Sequence, residues 1–122
     1  NMYAFAVLKN QYPDNNYWQN LKFNSTIKYL MSNEFKDKLE NNVYGYPYNP
    51  PGFEIPYALE ILSELETNEL LIISSYWFKR QLNKCYNLRT KMMDRNTPDP
   101  LTHSARLYEL TRIRNLELQV LI

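Results

Sequence analysis

Apolar side chains recur at helical spacing in the first half of the chain. Between residues 24 and 42 they follow steps of three and four residues, and the charged side chains lie mostly on the opposite side. This spacing predicts one amphipathic helix, capped by Asn24 or Ser25. Its apolar face consists of Ile27, Leu30, Met31, Phe35 and Leu39.

Three further helices are predicted downstream. Pro56 suits the first turn of a helix, where its missing N–H has no partner to lose, and apolar residues continue a short helix from there. Asn68 can cap a third helix that reaches Cys85. Asp99 followed by Pro100 is typical of an N-cap and a first helical residue, and starts the last helix. The buried face of the third helix is predicted to hold Leu71, Ser75, Phe78, Leu82 and Cys85.

The resulting fold class is mostly α, a small bundle of about four helices joined by short connections. Two glycines in 122 residues are far fewer than the usual share of about 7%, and this shortage disfavours sheets with tight turns. The apolar residues 2–8 fit either a short N-terminal strand or a helix end, because so short a run does not distinguish them. The length predicts a single domain over residues 1–122.

One segment interrupts the helical pattern. Residues 43–57, called the Tyr-Pro segment here, hold both glycines, four of the seven prolines and four of the eleven tyrosines. Disordered segments are depleted in aromatic residues, so we expect an ordered loop packed by its own rings. Tyrosine offers a flat apolar face and a hydroxyl group, which suit protein, peptide or sugar ligands.

Charge and cysteine content exclude several classes of protein. The formal net charge is +1, so no overall field favours nucleic acid or an anionic membrane. No apolar run approaches the ~18 residues that a membrane span requires, and we expect no membrane partner. The single cysteine, Cys85, rules out an internal disulfide and fits a reducing compartment, which favours a cytoplasmic location. Its place on an apolar helix face predicts a structural role.

The ends of the chain predict a segment of a larger protein. Asn1 precedes Met2, and the last residues, 118–122, are almost all apolar. From residue 116 onward apolar and polar residues alternate, so the last helix is expected to end there. Residues with a role in function are then expected outside the chain as well.

Candidate catalytic residues are few. No phosphate-binding glycine loop, dinucleotide fingerprint or zinc-protease motif is present, and no cofactor or metal is expected. Glu54 lies between two apolar residues just before Pro56, and apolar surroundings raise the pKa of a carboxyl group towards that of an acid catalyst. The single histidine, His103, falls in the first turn of the last helix, where a neutral ring is favoured.

Two short strings are similar to loop–helix joints of helical-toroid carbohydrate enzymes. They are residues 49–54, Asn-Pro-Pro-Gly-Phe-Glu, and residues 99–106, Asp-Pro-Leu-Thr-His-Ser-Ala-Arg. The similarity is confined to these two strings, carries no diagnostic motif and identifies no family. It implies a glycan cleft built from aromatic and carboxylate side chains on loops between helices.

Three functions remain open, and so does the question of whether the protein is an enzyme. The first is a helical interaction domain that binds a protein or peptide partner through Tyr44, Tyr46, Tyr48, Phe53 and Tyr57, with Arg106 as a polar anchor. The second is part of a carbohydrate-active enzyme, with Glu54 as acid and His103 assisting. The third, the least favoured, is single-stranded nucleic-acid binding by Arg80, Arg89 and Arg95.

Overall fold

The computed structural model describes residues 2–113, and these residues form a mostly helical domain. Two 3₁₀ helices, Asn16–Gln19 and Arg106–Arg112, accompany the α-helices. The α-helices in the described part of the chain are α1 (Met2–Gln11), α2 (Leu21–Leu30), α3 (Asn33–Glu40), α4 (Pro51–Leu62), α5 (Thr67–Cys85) and α6 (Pro100–Ala105). The mostly α prediction is confirmed, whereas the number of about four helices is too low. The expected helix end near residue 116 lies outside the described residues.

The alternative of a short N-terminal strand is wrong, because residues 2–8 belong to α1. This helix buries Ala6 completely and packs along α4. Phe5 contacts Phe23 of α2 edge to face, with ring centroids 5.8 Å apart. Helical geometry lets one face of the segment reach both neighbouring helices.

The helix predicted over residues 24–42 is two helices, α2 and α3. The break falls at Ser32, whose hydroxyl accepts a hydrogen bond from the Phe35 N–H at 3.2 Å and caps α3. Serine competes well for such an N-cap position. The apolar spacing continues across this break, so periodicity alone did not reveal it.

Helix α4 begins five residues earlier than predicted, at Pro51 instead of Pro56. The second half of the Tyr-Pro segment is therefore helix, and the prediction of a loop through residue 57 is wrong. Pro56 lies inside α4, where proline removes a backbone hydrogen bond and disfavours the helix. Nine of the twelve α4 residues are buried, and this burial offsets that cost.

Helices α4 and α5 form the centre of the fold, with α1 packed on α4. Phe53 and Leu59 of α4 and Trp77 of α5 are fully buried. The closest approach is at Gly52, where an added Cβ would lie 2.3 Å from the Cβ of Gln81 and 2.5 Å from the Trp77 carbonyl oxygen. The two helices can meet at this distance only because residue 52 has no side chain.

The predicted cap of α6 is confirmed, whereas the predicted Asn68 cap of α5 is wrong, because the N-cap position is Glu66. The Asp99 carboxylate accepts a hydrogen bond from the Thr102 N–H at 3.0 Å, and Pro100 is the first residue of α6, which confirms the predicted start. Helix α5 begins one residue before Asn68. Its buried face holds Leu70, Ser74, Trp77, Phe78, Gln81 and Cys85, so the predicted face is displaced by about one residue.

We predict that Gly52→Ala lowers the free energy of unfolding by about 1–3 kcal/mol, the usual cost of overpacking a core. The φ angle of Gly52 is negative, so the cost comes from the clash with α5 and not from backbone strain. Chemical denaturation measures the change. Ser75→Ala, on the exposed side of α5, is the control and should leave stability nearly unchanged. Equal stability of the two variants would contradict the close approach.

Candidate functional site

A cleft of about 530 Å³ opens beside the start of α4. Pockets for small ligands commonly fall between about 300 and 1,000 Å³. Most of its lining residues are apolar, but polar atoms make up nearly half of the exposed surface. The residues that line this Glu54 cleft are Met2, Tyr3, Leu30, Phe35, Leu39, Tyr44, Asn49, Pro51, Glu54, Ile55, Ala58 and Arg106.

Arg106 and two carboxylates form the charged part of the cleft. Arg106 donates from Nε and Nη2 to the two carboxylate oxygens of Glu109, both at 3.0 Å. Nη2 also donates to Oε1 of Glu54, on the first turns of α4. Glu109 is only 4% exposed, so the carboxylate that accepts two hydrogen bonds from the guanidinium group is buried. A fork of this kind fixes the orientation of an arginine much more firmly than a single contact does.

The surroundings of Arg106 stabilise its charge. Burial opposes the charged form, but the hydrogen bonds with Glu109 and Glu54 outweigh it and raise the pKa of Arg106. Glu54 therefore faces a permanent cation. The acid-catalyst hypothesis assumed apolar surroundings for Glu54, and the structure adds a cation to them, because α6 and the following 3₁₀ helix bring Arg106 against it.

Tyr3 of α1 adds a polar group that has no partner among the described residues. Its hydroxyl is buried and makes no hydrogen bond there. The ring packs 5.5 Å from that of Tyr57, and the Arg112 guanidinium lies 5.8 Å from the ring centre. Burial, with a contribution from the Glu109 charge, raises the pKa of Tyr3, so this phenol stays protonated and can donate.

A second polar cluster lies in the core, centred on Gln81 of α5. Its Oε1 accepts from the Gly52 N–H at 3.2 Å, and its Nε2 donates to the Tyr46 carbonyl at 3.1 Å. Nε2 also lies 3.0 Å from Nε2 of His103. Nδ1 of His103 lies 3.0 Å from the hydroxyl of Thr97. The amide nitrogen can only donate, so this contact fits a neutral ring that accepts through Nε2.

His103 is a structural residue of this cluster and does not line the Glu54 cleft. It is only 3% exposed. Burial lowers the pKa of His103, against the opposing effect of a hydrogen bond with the Pro47 carbonyl. Both ring nitrogens face protein groups, which leaves no free nitrogen for proton transfer to a ligand in the cleft. This environment agrees with the neutral ring that the sequence predicted, and burial is the largest cause of the lowered pKa.

The aromatic residues of the Tyr-Pro segment divide into an exposed set and a buried set. Tyr44 and Tyr48 are 67% and 62% exposed. Tyr46, Phe53 and Tyr57 are buried, so these three predicted contact residues pack the core and are not available to a partner. The sequence pattern did not separate the sets, since alternate tyrosines in a turn have no fixed side.

Of the three arginines proposed for nucleic acid, Arg80 is paired with a carboxylate. Arg80 donates to both carboxylate oxygens of Glu40, and Lys84 lies 2.6 Å from the same carboxylate. The hydrogen bond from Arg80 lowers the pKa of Glu40. Arg95 donates to the Tyr86 carbonyl at 3.4 Å. The ion pair with Glu40 reduces the positive potential that Arg80 offers to a phosphate backbone, whereas the neutral carbonyl leaves the charge of Arg95 in place.

Cys85 is fully buried, with its sulfur 3.5 Å from the Tyr46 carbonyl oxygen. Burial raises the pKa of the Cys85 thiol, so it is held as the weakly reactive protonated form. Within residues 2–113 no group of three or more histidine, cysteine, aspartate or glutamate side chains could hold a metal ion. No helix of that part of the chain is long and apolar enough to span a bilayer.

The chain is similar to a protein of an archaeal glycosylation system. Archaeal glycosylation protein Q of Haloferax volcanii is 35% identical to it over 118 residues. The alignment covers 97% of the chain but 31% of that protein, so the chain spans about a third of its relative. No family model matches the chain, and no solved structure matches it.

Three of the residues proposed from the sequence, Tyr44, Glu54 and Arg106, meet at the Glu54 cleft. Sequence reasoning missed Glu109 and Tyr3. Glu109 lies three residues after Arg106, a spacing at which opposite charges meet on a helix, so its pairing was detectable. No local sequence pattern indicated that Tyr3, near the N-terminus, lines the Glu54 cleft.

We predict that stability falls when the pH drops from 7 to 5, because His103 is held neutral in the folded state. Its unfolded pKa is about 6.5 and its folded pKa is lower. The contribution of His103 is therefore complete above about pH 6.5 and is lost as the pH falls towards the folded pKa. Thermal melts of wild type and His103→Asn across this range measure it. The same pH dependence in both proteins would contradict the assignment.

Proposed function

We propose that the chain is a carbohydrate-binding part of a larger glycosylation protein, and that its ligand binds in the Glu54 cleft. The observation that carries this proposal is the Glu54–Arg106 pair beside aromatic walls. Carboxylates and guanidinium groups bind sugar hydroxyls as acceptors and donors, and aromatic faces pack against the apolar face of a sugar ring. The name of the Haloferax relative supports the same class of ligand.

The rigidity of the site supports recognition of hydroxyl groups. Glu109 and Glu54 together hold Arg106, and Glu54 is itself fixed on a buried helix. Side chains held in this way lose little entropy when a ligand binds. Asn49 adds an amide at the rim, although its Nδ2 already donates to the Tyr44 carbonyl at 2.7 Å.

We assign binding and not acid catalysis to this part of the chain. An acid at Glu54 would have to work beside the Arg106 cation, and His103 faces Gln81 and Thr97 instead of the cleft. Because the chain spans 31% of its relative, catalytic groups of a complete protein would come from the remaining sequence. The enzyme alternative is thus moved from this segment to the larger protein.

Binding of a protein or peptide remains the second candidate, and one observation favours it. Val43, Tyr44 and Tyr48 are large apolar side chains that lie exposed on one turn. Such clustering is typical of a contact surface. The Glu54→Gln variant separates the two candidates: it should weaken the binding of a saccharide in the cleft and leave the binding of a peptide or protein to this turn unchanged.

We predict that Glu54→Gln weakens saccharide binding by about tenfold or more, because a hydrogen bond to a charged group contributes about 1.5–3 kcal/mol. The glutamine keeps the size of the side chain but removes its charge. Isothermal titration with neutral mono- and oligosaccharides measures the affinity. Glu64→Gln, an exposed glutamate outside the cleft, is the matched control. Similar affinities for both variants, with unchanged melts, would rule out Glu54 as a ligand contact.

A further inference from the structure

Two exposed tyrosine rings stand together next to the cleft. The rings of Tyr44 and Tyr48 have centroids 5.9 Å apart and planes inclined at 83°. The two nearly perpendicular rings form a concave corner, called the tyrosine corner here. The intervening Tyr46 points the other way and is 1% exposed, so the turn presents alternate rings to solvent and to the core.

This corner is continuous with the Glu54 cleft. Tyr44 and Asn49 line the cleft, and Tyr48 contacts the ring of Tyr44. A ligand that extends out of the cleft past Tyr44 therefore meets Tyr48 next. Both rings belong to one short turn, so the Tyr44–Tyr48 contact extends the lining of the cleft by one ring.

The turn that carries the rings is held by its own hydrogen bonds. The Tyr44 N–H donates to Asn42 Oδ1 at 2.8 Å, and Asn49 Nδ2 donates to the Tyr44 carbonyl at 2.7 Å. The N–H groups of Tyr48 and Asn49 donate to the Gly45 carbonyl at 3.1 and 2.8 Å. A Cβ on Gly45 would lie 2.5 Å from the Leu39 carbonyl oxygen, so the turn needs glycine there.

We propose that Tyr44 and Tyr48 form a second sugar subsite, and that the ligand of the Glu54 cleft is an oligosaccharide of at least two residues. This inference rests on the proposed function. The first residue binds at Glu54 and Arg106, and the next packs the apolar face of its ring in the tyrosine corner. A preformed aromatic corner suits this because ordering it costs little on binding.

The chemistry of the corner favours an uncharged sugar residue. No salt bridge involves a side chain of residues 43–49 in the described structure. The two rings offer faces and phenol groups but no formal charge. Specificity at this subsite therefore depends on ring shape and on which hydroxyls are equatorial, since a face with axial C–H groups packs flat on an aromatic ring.

The test compares saccharides of increasing length. Neutral gluco-, manno- and galacto-oligosaccharides of one to four residues are titrated against wild type, Tyr48→Ala and the control Tyr12→Ala, an equally exposed tyrosine outside the cleft. Wild type should bind the best disaccharide or trisaccharide about tenfold more tightly than its monosaccharide, which equals about 1.4 kcal/mol. Tyr48→Ala should remove this gain and leave monosaccharide affinity unchanged.

The possible failures are distinguishable. If affinity does not rise with length, or if Tyr48→Ala weakens monosaccharide and oligosaccharide binding equally, the second subsite is wrong while the Glu54 site stands. If no saccharide binds wild type, both proposals are overturned. Thermal melts check folding, and the exposure of Tyr48 predicts the same melting temperature for Tyr48→Ala and wild type.

Discussion

The side-chain amide of Gln81 joins the parts of this fold that the candidate site needs. It is fully buried on α5 and bonds to the Gly52 N–H and the Tyr46 carbonyl, with the His103 ring against its nitrogen. A buried amide that loses its partners costs about 1–3 kcal/mol for each group left unpaired. The start of α4, the Tyr-Pro segment and α6 are thereby held in one arrangement against α5.

This arrangement places the charged part of the cleft. Gly52 lets the first turn of α4 approach α5, and Glu54 follows two residues later on the side of the cleft. His103 anchors α6 to the same cluster, and Arg106 comes directly after that helix. The same elements, α4 and the segment around α6, thus contribute both to the core cluster and to the cleft. A polar core contact fixes where the surface charges meet.

The cleft combines a rigid polar pair with exposed aromatic rings, and this combination supports a sugar ligand. Arg106 is paired with both Glu54 and Glu109, so the charges at the site are largely compensated and the site offers hydrogen-bonding groups. That agrees with the small net charge of the whole chain. The relative, whose name refers to archaeal glycosylation, is about three times as long as the chain.

Local sequence determined the helical character and the Asp99 cap, because these depend on groups within about four residues of one another. It also indicated Glu54, Arg106 and Tyr44 as candidates by residue type. Only the tertiary structure decided that Glu54 meets Arg106, 52 positions away, and that Tyr46 faces the core while Tyr48 faces solvent. Those outcomes depend on how α4 and α6 pack on α5, which no local spacing encodes.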